Sequence, residues 1–199
     1  MFNQAMNFPT DLDHTVRMSR TGDAMSVETL VHACYPAVYH LAVSILNDAH
    51  EAEDAAQEAL LAAVTSLDRY RGEASFKTWI YAITINTCRG VLRKRKVRNS
   101  VMGALQAILP INGSVPTPED AAAQSDSDRR LWAAVDSLDD KHRLPIVLRY
   151  AHDMTVPEIA GMIGISEGTV HSRLHYAREQ LHRLLSREAA PRRREEARR

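Results

Sequence analysis

Helical periodicity is the feature that most limits how this 199-residue chain can fold. Apolar side chains recur every three or four positions over residues 27–45, 52–67, 76–96 and 131–151. This spacing puts them on one face of a helix, whereas no stretch alternates with the period of two expected for a half-exposed strand. The sequence therefore predicts an all-α protein, in which Pro36 is expected to kink or split the first long helix.

The helical period fails between residues 99 and 127. Here "NGSVPTPED" places an Asn-Gly pair and two prolines within nine residues, and such residues favour turns and loops. So long a structureless stretch is uncommon inside one compact domain. We therefore predict two small helical domains, 26–98 and 128–187, joined by a flexible linker. Residues 1–25 show no sustained period and 188–199 have no apolar face, so we expect a loose N-terminal tail and a disordered basic C-terminal tail.

Charge is strongly segregated along the chain, although its formal net charge is zero. Residues 45–68 hold six acids and no Lys or Arg, while residues 69–98 hold nine cations and a single acid, Glu73. Neighbouring blocks of opposite sign suggest two different partners, although a solvated helix face would explain either block alone. The basic block also contains four aromatic residues, which argues against an ordinary solvated face. They are Tyr70, Phe76, Trp79 and Tyr81.

Several classes of protein are disfavoured by what the sequence lacks. No window approaches the roughly 18 uninterrupted apolar residues of a membrane span, and the N-terminus has no basic start followed by an apolar block. Cys34 and Cys88 fall in apolar helical patterns and are predicted to be reduced, buried thiols. We find no phosphate-binding glycine loop, HExxH or nucleophile motif. We therefore expect a cytoplasmic protein that is not an enzyme and needs no cofactor or metal.

The C-terminal half contains a pair of short helices joined by a tight turn, in "MTVPEIAGMIGISEGTVHSRLHYAREQLHRLL". Thr155 is placed to cap the first helix, and Glu158 three residues on completes a capping box. Gly164 stands where the chain must turn, and Ser166 can cap the second helix. This pattern predicts a helix-turn-helix, whose second helix enters the DNA major groove.

The second helix of this motif has one apolar and one polar face. The apolar face consists of Val170, Leu174, Ala177 and Leu181. The polar face consists of His171, Ser172, His175, Tyr176, Glu179 and His182, flanked by Arg173 and Arg178. Such groups suit hydrogen bonds to base edges, with cations on the phosphates. Two alternatives stay open: a merely solvated face, and a metal site on the three histidines, since His at i, i+4 is a metal-binding spacing.

These motifs resemble those of one family. "SEGTVHSRLHYAREQL" is similar to the recognition helix of extracytoplasmic-function sigma factors, and "DAHEAEDAAQEALLAAV" followed by "YRGEASFKTWIYAITINTCRGVLRKRK" resembles their N-terminal domain. The resemblance implies a factor that binds core RNA polymerase, recognises −10 and −35 promoter elements and promotes DNA melting. A free-standing helix-turn-helix regulator is the alternative, but it would leave the acidic and aromatic-basic blocks without a purpose. A basic groove lined with aromatic rings suits an opened strand, because bases stack on the rings.

The resemblance also implies the site residues. Those that would contact core polymerase are Asp54, Gln57, Glu58 and Leu61. Those that would contact −10 DNA are Arg69, Tyr70, Arg71, Phe76, Lys77, Asn86, Arg89, Arg93, Lys94, Arg95 and Lys96. Those that would contact −35 DNA are Arg149, Ser166, Thr169, His171, Ser172, Arg173, His175, Tyr176 and Arg178. Trp79 matches a family tryptophan that we assign to the core.

Partners follow from the same resemblance. They are the largest-subunit coiled coil and the flap region of core polymerase, promoter DNA in double- and single-stranded form, and an anti-sigma factor, with no membrane. Three residues depart from the commonest family pattern. Gly90 stands where many relatives have Asp, His171 where Lys or Arg is frequent, and Tyr176 where Arg is frequent. The −35 sequence preference is therefore not transferable from relatives.

Overall fold

In the computed structural model the chain folds into helices, which confirms the predicted all-α class. The structure describes residues 8–9, 12–108 and 126–196, with side chains except at 100–108, 126–129 and 187–196. Within these ranges there is no strand. The helices are α1 (Asp13–Arg20), α2 (Ala24–Leu46), α3 (Ala49–Thr65), α4 (Phe76–Ile108), α5 (Asp126–Asp136), α6 (Asp140–Tyr150), α7 (Val156–Ile163) and α8 (Glu167–Glu196), with a 3-10 turn at Leu67–Arg69.

Helices α1 to α4 pack around one core to form the N-terminal domain. Capping residues set the beginnings of its two central helices: the Asp23 carboxylate accepts a hydrogen bond from the Ser26 amide, and the Asp48 carboxylate accepts one from the Glu51 amide. Such caps satisfy backbone donors that the helix leaves unpaired. Between the two helices Asn47 adopts the left-handed conformation (φ 49°), which lets the chain reverse in a few residues.

The buried side chains of this domain explain its close packing. Helix α3 turns a row of alanines inward, and their small size allows neighbouring helices to approach. Helix α2 meets them with larger residues, including Leu41 and Leu46, which are fully buried. Pro36 lies inside α2, and the helix continues through it, so the expected split does not occur.

By length and composition α2 is apolar enough to cross a membrane. A buried core helix passes the same test, and the buried residues of α2 line the core of the N-terminal domain. We therefore attribute its apolar character to packing within the protein.

The structure corrects three predicted boundaries. The loose tail predicted for residues 1–25 is wrong for residues 12–25, because α1 packs on α2 and buries Leu12 and Val16. Its eight residues are too few to give a clear periodic signal, and tertiary contacts stabilise so short a helix. Helix α4 continues ten residues past the predicted start of the linker, to Ile108. Helix α8 continues to Glu196, so the tail predicted to be disordered is helical that far. The remaining linker, 109–125, and residues 197–199 lie outside the described residues.

Helices α5 to α8 form the C-terminal domain, and the predicted helix-turn-helix is present as α7 and α8. Thr155 and Glu158 form the capping box of α7, Gly164 ends α7 in the left-handed conformation (φ 69°), and the Ser166 hydroxyl accepts a hydrogen bond from the Thr169 amide at 3.2 Å. Behind α8, Arg143 Nη1 lies 3.3 Å from Asp136 Oδ1 in a largely buried ion pair. Burial raises the pKa of Asp136, and Arg143 opposes that shift.

Candidate nucleic-acid and polymerase interfaces

One exposed face of α3 carries all four residues predicted to contact polymerase. Their spacing of three and four positions places them on one side of the helix. They are Asp54, Gln57, Glu58 and Leu61. Leu61 is 66% exposed, an unusual state for a large apolar side chain in a helix that is otherwise well packed. We call these four residues the α3 face; it combines negative charge with one apolar contact, as a docking surface for a protein would.

Beside the α3 face, α4 carries an open groove that contains the predicted −10 residue Asn86. The groove has a volume of about 390 Å³ and is lined by Glu58, Asn86, Gly90, Arg93 and Lys94, among others. Asn86, Arg93 and Lys94 are exposed. The groove therefore offers an amide for hydrogen bonds and two cations for phosphates, next to a residue of the α3 face.

The aromatic residues that precede this groove form a cluster rather than a row of free rings. The Tyr70 ring lies 5.4 Å from the Phe76 ring and 5.3 Å from the Trp79 ring, between centroids. Phe76 is only 7% exposed and belongs to the core, so its ring is not presented for stacking on a base. Trp79 packs against the core, in agreement with its predicted role, and keeps part of its surface exposed. Tyr70 is half-buried, and its hydroxyl donates a hydrogen bond to the Ala74 carbonyl at 2.8 Å.

That hydrogen bond braces the loop of residues 69–75, which carries the predicted −10 residues Arg69, Tyr70 and Arg71. Arg69 and Arg71 are exposed on this loop, and Arg71 Nη1 is 3.9 Å from Glu73 Oε1. Gly72 has φ 76°, a conformation that side chains disfavour, so glycine is required for the turn. The loop also forms one wall of a second groove, whose opposite wall is α7.

Several cations of the basic block are already engaged within the protein. Arg95 forms an ion pair with Glu51 and donates to the Leu46 carbonyl at 3.2 Å. Arg89 Nη1 donates to the Ile163 carbonyl at 3.3 Å, and Lys77 Nζ lies 5.6 Å from the centroid of the Tyr81 ring. In contrast, Arg93, Lys94 and Lys96 are exposed on α4. Only exposed cations such as these three can reach a ligand without giving up a contact within the protein.

The outward face of α8 is free, as its helical angles predicted. His171, Ser172, His175 and Arg178 are exposed, and Arg173 is half-buried. Ser166 lies just before α8 and Thr169 lies in its first turn, where their hydroxyls are 2.8 Å apart. Arg149 is exposed, but one of its nitrogens donates to the Met154 carbonyl at 2.7 Å. The described residues contain no group of three His, Cys, Asp or Glu side chains that could hold a metal, so the geometry does not favour a metal site on the histidines.

Two histidines that the sequence did not single out, His142 and His152, contact residues of other helices. The His142 ring stacks on Tyr176 of the α8 face, with 4.2 Å between ring centroids. His152 is 4% exposed and its Nε2 lies 3.0 Å from the Ser44 hydroxyl of the N-terminal domain. Both contacts join residues far apart in sequence, and no periodic pattern would have revealed them.

Two family profiles match the chain: Sigma-70 region 2 over residues 30–98, and Sigma-70, region 4 over residues 134–183. The ECF RNA polymerase sigma factor SigW of Bacillus subtilis (strain 168) is 31% identical, over 85% of this chain and 94% of SigW. The chain belongs to the family of extracytoplasmic-function (ECF) sigma factors. The RNA polymerase sigma-H factor of Pseudomonas aeruginosa is a further relative of this ECF sigma factor, 30% identical over 85% of this chain and 91% of that factor.

A solved structure supports the fold assignment. The sigma factor RpoE of Bartonella quintana, crystallised with the anti-sigma factor NepR, aligns with a TM-score of 0.64 at 24% identity, over 80% of this chain and 96% of that one. ECF sigma factors are transcription initiation factors rather than catalysts, and this one is an alternative sigma factor for transcription initiation. Its two sigma domains are of the kind that binds RNA polymerase and promoter DNA.

Proposed function

We propose that the α3 face docks this ECF sigma factor on the coiled coil of the largest subunit of core RNA polymerase. The observation that carries this assignment is that Glu58 of the α3 face and Asn86 of α4 line the same groove. A polymerase bound on α3 would therefore hold the opened DNA strand directly beside Asn86. The negative charge of the face supplies steering and register, and Leu61 supplies apolar contact area.

The −10 element lies in this groove once the duplex has opened. Asn86 meets a base edge, Arg93, Lys94 and Lys96 meet phosphates, and Arg69 and Arg71 extend this positive surface along the 69–75 loop. Tyr70 is the ring best placed to stack on a base, because it sits at the edge of the aromatic cluster and Phe76 is buried within it. The protein favours the open DNA by binding it better than the closed duplex.

The −35 element is read by the outward face of α8, while the C-terminal domain also contacts the flap region of polymerase. His171, Ser172 and His175 lie at the centre of this face, and Arg173 and Arg178 flank it toward the phosphates. Side chains of this type recognise donors and acceptors on base edges in the major groove. Ser166 and Thr169 at the start of α8, and Arg149 on α6, lie close to the DNA backbone in this arrangement.

The protein acts in the cytoplasm, without a membrane, and an anti-sigma factor restrains it. One solved structure of similar fold holds such a regulator: the sigma factor RpoE is bound to the anti-sigma factor NepR. An anti-sigma protein that covers the α3 face or the α8 face would block polymerase or promoter binding by occupying the same residues.

Run-off transcription by core polymerase on a promoter from the upstream region of its own gene tests the assignment. Glu58→Lys combined with Asp54→Lys should weaken core binding by reversing the charge of the α3 face. Glu28→Lys is the matched control, since Glu28 is an exposed acid on α2 away from that face. Equal core affinity of the double variant and the control in a pull-down would show that α3 is not the docking surface.

The same assay separates polymerase binding from strand opening. Asn86→Ala should keep core affinity but lower the permanganate reactivity of unpaired thymines, because the groove loses its contact with a base. Stacking on one base contributes about 1–3 kcal/mol in single-strand-binding sites, and a base contact of that size at Asn86 would slow opening by about 5- to 150-fold when lost. Full reactivity in this variant would move −10 recognition away from the groove.

A further inference from the structure

Tyr176 of the recognition helix α8 is held by a residue of another helix. Its ring stacks on the imidazole of His142 in α6, with 4.2 Å between the ring centroids and 27° between the ring planes. At the far end of the ring, the Gln180 side chain donates a hydrogen bond from Nε2 to the Tyr176 hydroxyl at 3.3 Å. An exposed side chain ordinarily changes rotamer freely, whereas these two contacts fix both the plane of the ring and the position of its hydroxyl.

His142 is itself fixed within the DNA-free protein. Its side chain is only 11% exposed, and its Nδ1 lies 2.6 Å from Oδ1 of Asp139. The same carboxylate oxygen accepts a hydrogen bond from the His142 amide at 3.2 Å, which caps the beginning of α6. Asp139 therefore sets both the backbone and the ring of His142, so the imidazole is a fixed support for Tyr176.

Tyr176 lies on the side of α8 that would face DNA. It follows Ser172 by about one helical turn, so the two side chains are neighbours on the outward face. Tyr176 keeps 44% of its surface exposed, although His142 covers one side of its ring. Apart from the hydroxyl, the surface that it can present to DNA is the apolar carbon of the ring, in one fixed orientation.

An apolar ring surface fits one group in the major groove better than the others. Every base pair shows hydrogen-bond donors and acceptors there, but only thymine adds an apolar group, its C5 methyl. Tyr176 has neither a permanent charge nor two parallel donors, so it is unsuited to the paired hydrogen bonds by which Arg reads guanine. The chemistry of the side chain therefore favours contact with a thymine methyl group.

We propose that His142 is a positioning residue for promoter recognition, which holds Tyr176 so that its ring contacts the methyl group of one thymine in the −35 element. His142 acts through Tyr176 rather than on the DNA. The inference rests on the proposed function of α8 as the reader of that element. It adds the base that Tyr176 selects and the residue on which the selection depends. A ring that is already immobilised loses little conformational entropy on binding, so its contact discriminates more strongly.

Replacement of thymine by deoxyuridine tests the proposal, because the exchange removes only the C5 methyl group. The probe is a promoter fragment from the upstream region of the protein's own gene, in which each −35 thymine of either strand is replaced in turn. The full chain, assembled with core polymerase, should bind one of these fragments about fourfold more weakly, the loss expected for one buried methyl group. The ratio of the two affinities isolates this contact, since a change in folding stability lowers both affinities alike.

Variants at both rings assign the methyl contact. Tyr176→Ala should bring the ratio close to one, and Tyr176→Phe should preserve it, because the ring remains. His142→Ala should also bring the ratio toward one although Tyr176 is present, whereas His142→Phe, which can still stack on Tyr176, should preserve it. If the alanine variant does not fold, His142→Leu replaces it, since leucine fills the space without an aromatic face. His32→Ala, at an exposed histidine of α2, is the control and should leave the ratio unchanged.

The outcomes separate this proposal from the function on which it rests. If base-pair changes throughout the −35 element leave binding unchanged, α8 does not read that element and the proposed function is wrong. If such changes weaken binding but no thymine methyl contributes, or if the methyl effect survives in Tyr176→Ala or His142→Ala, the inference is overturned and α8 remains the reader. Loss of the effect in His142→Phe would also overturn it, because stacking on Tyr176 would then not be the cause.

Discussion

The two candidate DNA surfaces differ in how many of their side chains make contacts within the DNA-free protein. On α4, Arg89 and Arg95 are bound to a backbone carbonyl and to an acid within the chain. On α8, His171, Ser172 and His175 point outward. A substitution on α4 therefore changes internal contacts together with DNA contacts, whereas one on α8 changes DNA contacts almost alone. Counting cations in the sequence overestimates the charge that the N-terminal domain can offer to phosphates.

The outward face of α8 depends on the ion pair between Arg143 and Asp136 behind the helix. Removing that pair should give the largest loss of stability. Arg143→Ala leaves Asp136 as a half-buried, unpaired carboxylate, so the C-terminal domain should lose stability, by at most the about 3–5 kcal/mol typical of a fully buried pair. Trp132 in α5 reports this unfolding by fluorescence in a Trp79→Phe background, since the chain has only these two tryptophans. Lys141→Ala is the control, because Lys141 is exposed and only 3.5 Å from Asp139 at the surface. A domain that unfolds at the unsubstituted denaturant midpoint would show that the ion pair contributes little.

Removal of Glu51, the acid that pairs with Arg95, should release this α4 side chain from its main contact within the protein. Glu51→Ala leaves a half-buried guanidinium with the Leu46 carbonyl as its remaining partner, and we expect a loss of about 1–3 kcal/mol in the N-terminal domain. Salt-dependent DNA binding should at the same time become steeper, as freed cations reach phosphates. Arg98→Ala is matched, because Arg98 lies 3.6 Å from the same acid but is two-thirds exposed. If the two variants melted at the same temperature, Arg95 would not be a structural cation.

Acid should separate the two domains at His152, whose Nε2 lies 3.0 Å from the Ser44 hydroxyl of the N-terminal domain. While the domains are packed together, burial, with Lys77 and His40 nearby, lowers the pKa of His152 to about 4 from its ordinary 6.5. The form with packed domains therefore binds fewer protons than a form in which the domains have separated. Its stability is complete above about pH 6.5 and declines as the pH falls toward about 4, by roughly 2 kcal/mol at about pH 5. Energy transfer between dyes on the two domains should fall over this range in the polymerase-free protein.

His152→Asn is the control for that titration, because it keeps a neutral polar side chain in the same place. This variant should keep the two domains packed at neutral pH and lose the response to acid. An unchanged acid response in this variant would assign the effect to other groups at the boundary, Lys77 and His40 among those that face it.

The smallest change in stability is expected on the α8 face. His171→Ala with His175→Ala should alter the free energy of unfolding by less than about 0.5 kcal/mol, since both side chains are exposed. Selection of −35 sequences from a random pool should nevertheless change, because contacts to single base pairs discriminate by about 1–3 kcal/mol. Identical preferences in the variant and the unsubstituted chain would leave recognition to Ser172, Tyr176 and the flanking arginines.

Local chemistry explains which parts of this structure could be predicted from the sequence. The capping box at Thr155, the turn at Gly164 and the apolar stripe from Val170 to Ala177 depend on residues close together in the chain, and all three are present. The exposed faces of α3 and α8 follow from the same periodicity.

The contacts that were missed are nonlocal. His152 meets Ser44 across 108 positions, and the aromatic ring of Phe8 reaches Phe76 and Tyr81 at 6.3 and 5.7 Å. Helix α1 was overlooked because its stability comes from docking on α2 rather than from its own sequence. The engaged arginines were missed for a similar reason: periodicity places a side chain on a face, but the partner that occupies that face comes from another helix.

Glu158 divides its two carboxylate oxygens between different tasks. Oε2 accepts hydrogen bonds from the amide and hydroxyl of Thr155 and completes the cap of α7, while Oε1 lies 3.5 Å from the Thr78 hydroxyl of the other domain. During evolution, a residue at this position has to meet two separate structural requirements. A change to Gln keeps a hydrogen-bonding group for the cap but loses the charge, and a change to Ala loses both. A substitution of Glu158 would therefore change both the stability of the C-terminal domain and its contact with the N-terminal domain. Neither property can change at this position without the other.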